Sequence, residues 1–224
     1  YTYDIHGNVD VLLQHYNDGI MQAATGNAFK RMKYKYDLVS GKVNEVAYQP
    51  GVTDQFFHRY DYDAENRLIA VRTSHDSVYW EMQAQYQYYQ HGPLARTVIV
   101  QQQVQGIDYA YTLQGWLKGV NTTTNTAAGS AGSSFDMGGD GVTVAKDAFG
   151  FSLNYHANDY KAILENSWPF ATVANSLPAI PNDALILGHG LYNGNISSML
   201  VNVPQLGEAR LYGYRYDQLN RLRA

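Results

Sequence analysis

One short line of residues, Tyr-x-Tyr-Asp-x-x-(Gly/Asn)-x-(Leu/Val), recurs along this chain and constrains its fold more than any bulk property. It is clearest in RYDYDAENRLIAV, Arg59 to Val71. Tyr60 and Tyr62 stand at alternate positions, which places both rings on one face of a strand. Asp63 can accept a hydrogen bond from backbone two residues on, and Asn66 tolerates the left-handed conformation of a tight turn. Apolar residues, among them Leu68 and Val71, then resume on the far side. The line therefore predicts one β-hairpin.

The first copy carries Tyr1, Tyr3, Asp4, Gly7 and Val9. The second carries Tyr34, Tyr36, Asp37, Gly41 and Val43, with a turn one residue longer. In the fourth, Tyr86 and Tyr88 are followed by Tyr89 in the aspartate position, then Gly92 and Leu94. The fifth has Tyr109, Tyr111, Thr112, Gly115 and Leu117, and the last has Tyr214, Tyr216, Asp217, Asn220 and Leu222. The second tyrosines of the first five copies lie at positions 3, 36, 62, 88 and 111, spacings of 33, 26, 26 and 23. That is regular enough for a structural repeat and too loose for a rigid solenoid. Between Asn121 and Gly141 the chain turns polar, small and glycine-rich, the composition of a loop. A short helix is expected around Ala145–Ala148 and a strand over Phe151–Tyr155. The organisation expected is hairpins over 1–120, a loop and irregular insertion over 121–190 with a short strand near 151–155, and a return to hairpins over 191–224.

The composition fits this picture. Twenty tyrosines against seven phenylalanines and three tryptophans suit thin β-walls with two partly wet faces, since the tyrosine ring is apolar and its hydroxyl polar. A net charge of −4 argues against nucleic-acid binding. With no cysteine there is no disulfide framework, thiol nucleophile or thiolate metal site. No stretch approaches the roughly 18 apolar residues of a membrane span.

Residues able to carry chemistry are scattered. His6, His15, His58, His75, His91, His156 and His189 form no i, i+4 pair and no HExxH motif. Asp4, Asp37, Asp63 and Asp217 recur at one repeat position. A row of carboxylates could bind cations or sugars, but Tyr89 and Thr112 replace two of them, which favours a turn cap. Asp136–Gly141 lacks the alternate oxygen ligands and closing glutamate of a calcium loop. No GxSxG motif or P-loop occurs. The expectation is a chain with no catalytic residues, no cofactor and no metal, hence no enzyme.

The strings YDAENRL, YDLVSGKV, YDIHGNV and YDQLNRL closely resemble the YD repeat of the RHS proteins, large secreted bacterial polypeptides related in their repeats to teneurins and insecticidal toxin complexes. HGPLAR and YTLQGWLKGVN look like the RHS region of Bacteroidetes proteins, of the polymorphic-toxin kind. The resemblance covers about residues 1–121 well and 150–224 more thinly. It implies an all-β strip of serial antiparallel hairpins curving into a hollow shell, with one irregular insertion. It also implies a secreted or cell-surface location and a shell that encloses a C-terminal toxin or other cargo, its partners being the rest of its own polypeptide. Many relatives release that cargo by aspartyl self-cleavage at an Asp-Pro-x-Gly core, and this sequence contains no Asp-Pro pair. Both ends look like cuts through a larger protein. The rival function, from a different class, is an adhesion or glycan-binding module whose aromatic rings stack on sugars.

Overall fold

The alternation at the repeat tyrosines is realised as strand in the second to fifth copies, whereas Tyr214 of the last copy lies past its strand and Tyr216 makes an isolated bridge to Leu222. The structure is a computed structural model that describes residues 1–16, 19, 28–99, 102–123, 137, 144–156, 158–162, 170, 190–207 and 209–223. The fold is all-β, a series of antiparallel hairpins. Two compact units divide it: Tyr1–Gln87 with Ile99–Gln102, and Tyr88–Val98 with Gln103–Ala224.

In the first unit the strands are β1 (Thr2–Tyr3), β2 (Val9–His15), β3 (Phe29–Tyr36), β4 (Val43–Tyr48), β5 (Phe56–Tyr62), β6 (Leu68–Ser74) and β7 (Glu81–Tyr88). Each pairs with its neighbour in sequence, in registers such as Leu13↔Arg31, Tyr34↔Val46, Val46↔His58 and Tyr60↔Val71. Asp76 and Ser77 form the reversal before β7, with Ser77 at φ 62° and the Asp76 carboxylate accepting from the amides of Val78 and Tyr79. The Arg59 guanidinium lies 3.9 Å from the centre of the Trp80 ring, a stack that covers both groups.

The second unit holds β8 (Leu94–Ile99), β9 (Gln105–Tyr111), β10 (Leu117–Val120), β11 (Gly150–Asn154), β12 (Ser198–Asn202) and β13 (Arg210–Gly213), again in sequence order. β11, expected from the alternation at Phe151–Tyr155, is a full member of the sheet. It pairs with β10 through Gly119↔Ser152 and with β12 through five registered pairs from Gly150↔Asn202 to Asn154↔Ser198. The expected helix around Ala145–Ala148 is absent, and those residues are irregular. Most of the glycine-rich stretch, the Asp136–Gly141 loop apart from Met137, and His189 lie outside the described residues.

The interior is thin and unusually polar. Among the described residues, ten hydrophobic side chains are buried, including Ala47, Phe57, Ala70, Ala110 and Leu200, against fourteen polar or charged ones. Buried polar groups stabilise only when hydrogen-bonded, so such a wall depends on its bonds being made. Gln49 shows how: its side chain takes the Arg31 amide at 2.8 Å and donates to the Phe29 carbonyl at 3.2 Å, extending the edge of β3 where the ladder ends.

Candidate functional site

The turn is built alike at each copy. In the third, the Asp63 amide donates to the Arg67 carbonyl and the Asn66 amide donates back to the Asp63 carbonyl, both at 3.0 Å. The same pair of bonds joins Asp4 with Asn8 and Gly7, Tyr89 with Pro93 and Gly92, Thr112 with Trp116 and Gly115, and Asp217 with Arg221 and Asn220. The fourth residue of each loop has positive φ: 86° at Gly7, 61° at Asn66, 113° at Gly92, 83° at Gly115 and 58° at Asn220. In the longer second copy Gly41 takes this role, at 69°, with its amide on the Asp37 carbonyl. This is the three-residue hairpin loop, a type I turn closed by a left-handed residue, and it leaves an extra residue in the returning strand. The register accordingly slips by one just before Tyr3, Tyr36, Tyr62 and Tyr111, leaving Asp10, Asn44, Ile69 and Lys118 as bulge residues.

Because Gly115 needs φ 83° but has open space where a Cβ would stand, Gly115→Ala is expected to cost about 1 kcal/mol by backbone strain alone. Gly115→Asn should cost less, since asparagine already serves at this position in two copies. Paired thermal melts of the two variants give the ranking.

The repeat aspartates cap these turns. One Asp63 carboxylate oxygen accepts from the amides of Glu65 and Arg67, and the other takes the Arg67 guanidinium at 2.7 Å. Asp217 does the same with Leu219 and Arg221. Asp4 uses His6 and Asn8, and Asp37 uses Val39 and Ser40. Thr112 substitutes its hydroxyl, accepting from the Trp116 amide at 3.1 Å. Hydrogen bonds hold all four carboxyls below their ordinary pKa: from the Asn8 side chain and backbone at Asp4, from Ser40 at Asp37, and from Arg221 at Asp217. At Asp63 burial pushes the value up, but the bonds from Arg67 and Glu65 prevail.

A depressed folded-state value favours the folded state while the group is ionised. That stability is therefore present above the ordinary value of 3.8 and is lost as pH falls through the lower folded values. Melting temperature should hold steady down to about pH 5 and drop on further acidification. Asn at positions 37 and 63 should make that drop shallower, as thermal melts across the acid range would show.

The tyrosines do something the sequence does not announce. Rings two apart on one strand stack on each other, Tyr1 on Tyr3 at 6.5 Å and Tyr34 on Tyr36 at 6.4 Å. Between hairpins, Tyr89 and Tyr111 meet edge to face at 6.4 Å, and the more regular contact is a ladder of hydroxyls. Tyr36 donates to the Val9 carbonyl, Tyr62 to Val43, Tyr155 to Leu117 and Tyr216 to Ile196, at 2.9–3.0 Å. Val9, Val43 and Leu117 each start the returning strand of the preceding hairpin, and Ile196 lies two residues before β12. The backbone ladder has already stopped there: the last registered pairs are Val11↔Lys33, Glu45↔Arg59, Gly119↔Ser152 and Ser198↔Gly213. Past those pairs the phenol reaches a carbonyl that the ladder between the hairpins no longer serves. Burial raises the pKa of Tyr36, Tyr62 and Tyr155, which keeps these hydroxyls protonated as donors. Tyr88 ends β7, Tyr111 ends β9, and Tyr89 donates forward to the Tyr109 carbonyl at 2.7 Å.

A groove of about 610 Å³ in the first unit is lined by Tyr36, Tyr60, Tyr62, Asp61, Asp63 and Arg59 among others. Its charges are largely satisfied internally: Glu45 bonds Lys35 and Arg59, Asp61 pairs with Arg72, and Asp63 with Arg67. Among the described residues no group of three His, Asp or Glu could hold a metal ion. His91 stacks on Tyr89 at 5.3 Å and His58 on Tyr60 at 6.4 Å, so both act as ring partners.

Two buried clusters in the second unit escaped sequence reasoning. Arg96 on β8 bonds Asp108 on β9, and the fully buried Asn121 accepts from the Asp108 amide and donates to the Phe149 carbonyl. Lys118 on β10 bonds Asn154 on β11 and both carboxylate oxygens of Asp159. No local signal marks them, because each side-chain partner lies 12 or more residues away on another element.

No protein-family model and no curated protein matches the chain. Among solved structures the chain is similar to one in the crystal structure of TcdB2-TccC3-TEV, at 10% sequence identity and a TM-score of 0.41, over 99% of this chain and 12% of that chain.

Proposed function

We propose that the chain is a wall segment of a large secreted RHS-type polypeptide, and that the wall encloses a C-terminal toxin or other cargo. The observation that supports this best is the repeated hydroxyl bond from one hairpin to the carbonyl of the hairpin before it. It is a construction rule: it lets hairpins be added in series while making each depend on its neighbour, as in other repeat proteins. The repeat carboxylates are spent on turn amides, which leaves the motif itself a mechanical role. Such a wall acts sterically, by keeping proteases and solvent from what it surrounds.

The test is limited proteolysis of the complete polypeptide. The segment following the repeats should resist protease while the wall is intact and be digested once the wall is denatured. Equal digestion of that segment in both states would overturn the proposal. The tyrosine-lined groove of the first unit favours the rival, a glycan-binding module. Calorimetric titration with neutral and acidic oligosaccharides, lost on Tyr60→Ala, would support that rival.

A further inference from the structure

Lys118 is the bulge residue of β10, lying between Leu117, opposite Tyr111, and Gly119, opposite Ala110. A bulge re-aims the side chain of its extra residue. Here it sends a lysine inward: Lys118 is 5% exposed, whereas the bulge residues Asp10, Asn44 and Ile69 of other copies are only half-buried. Its amine meets two different groups. The Asn154 side-chain oxygen lies at 2.9 Å, and the two Asp159 carboxylate oxygens lie at 2.8 and 3.0 Å.

Both partners are clamped. The Asn154 side-chain nitrogen donates to the Ser198 hydroxyl at 3.0 Å, which turns its oxygen toward the lysine. The Asn154 backbone carbonyl accepts from the Ser197 amide and hydroxyl. Asp159 is fixed by the Tyr155 amide at 2.9 Å. Ser197 and Ser198 are buried, as is Tyr155, whose ring packs 5.0 Å from that of Trp116. An amine, a carboxamide and a carboxylate thus converge around a buried lysine.

We propose that Lys118 and Asn154 become joined by an isopeptide bond, with Asp159 carrying the proton, so that β10 and β11 are covalently stapled. Asp159 takes a proton from the lysine, leaving a neutral amine. The amine lone pair attacks the Asn154 Cγ, forming the Nζ–Cγ bond. Asp159 passes that proton to the departing Nδ2, the Cγ–Nδ2 bond breaks and ammonia leaves, and Asp159 takes the second Nζ proton, which the ammonia carries away as ammonium. Nothing is oxidised or reduced, and no co-reactant is needed. Burial lowers the Lys118 pKa against the pull of Asp159, which favours the proton transfer that starts the sequence. Holding the reacting groups in contact removes the entropic cost of bringing them together.

The staple would close the loop between residues 36 apart, which includes the long excursion between β10 and β11. In a chain with no cysteine it would do what a disulfide does, restricting the unfolded state, without depending on the redox environment.

Intact-mass spectrometry of the purified, denatured chain tests it. The wild type should be lighter than its sequence by one ammonia, about 17 Da, and a digest should yield one branched peptide joining Lys118 to Asn154. Asp159→Asn and Lys118→Met should each restore the full sequence mass. The wild-type mass and branched peptide decide the matter even where a variant fails to fold. Full sequence mass in the folded wild type after days at neutral pH would overturn the proposal. So would a loss of ammonia without the branched peptide, or a loss of water mapping to Lys118 and Asp159.

Discussion

Asp108→Ala is expected to destabilise the second unit by about 3–5 kcal/mol, because it removes the carboxylate that faces a buried guanidinium. The Arg96 and Asp108 side chains are 11% and 8% exposed, and their charged atoms lie 2.5 Å apart. Two desolvated charges so placed offset their burial together, and removing one takes away the opposite charge that faces the other. The control is Arg96→Met with Asp108→Leu. Removing both charges should recover much of the loss, since apolar replacements of similar volume are often neutral. Urea denaturation of the three variants measures this. A single-variant loss under about 1 kcal/mol would mean that the pair is not desolvated.

Asn121→Ala should cost about 3 kcal/mol, the second largest effect of a single change, because it removes hydrogen bonds to the buried Asp108 amide and to the Phe149 carbonyl. Asn121 has no exposed surface and a φ of 57°, and it sits where β10 ends and the chain leaves the sheet. Its side chain serves the Asp108 amide at 2.8 Å and the Phe149 carbonyl at 2.9 Å, while its own amide donates to the Asp108 carbonyl. It is thereby a substitute rung between β9 and the chain entering β11. Alanine also fits the left-handed conformation less well. Because Asn121 bonds Asp108 directly, the losses from Asn121→Ala and Asp108→Ala should not add. A double-variant cycle by urea denaturation reads that coupling. The same burial also rules out glycosylation at the Asn121-Thr122-Thr123 sequon in the folded chain.

What could be seen in the sequence and what could not divides along the range of the interactions. The turn at Asp63 was legible because every group in it lies within four residues: a carboxylate, two amides and an Asn able to take positive φ. The strand at Phe151 was legible from alternation alone. The tyrosines were only half legible. Their shared face follows from spacing, but the hydroxyl bonds depend on where the ladder between neighbouring hairpins ends, and that is a property of register. Lys118, Arg96 and Asp108 were invisible because their partners lie 36, 12 and 13 residues away, across strands whose bulges decide which side chains turn inward. Asp10, Asn44 and Ile69 hold the same bulge position as Lys118 and gave no hint that a buried cation would appear there.

The polar interior and the repeated hydroxyl bond point to one physical idea. A wall too thin for a dry core can be stable if each hairpin completes bonds that its neighbour leaves open. The direct test is native-state hydrogen exchange on Tyr62→Phe, which removes one hydroxyl and little else. If hairpins are coupled as described, amides of β4, in the preceding hairpin, should lose protection by about fivefold, the equivalent of roughly 1 kcal/mol. Loss confined to the Asp63 turn, with β4 unchanged, would contradict the account.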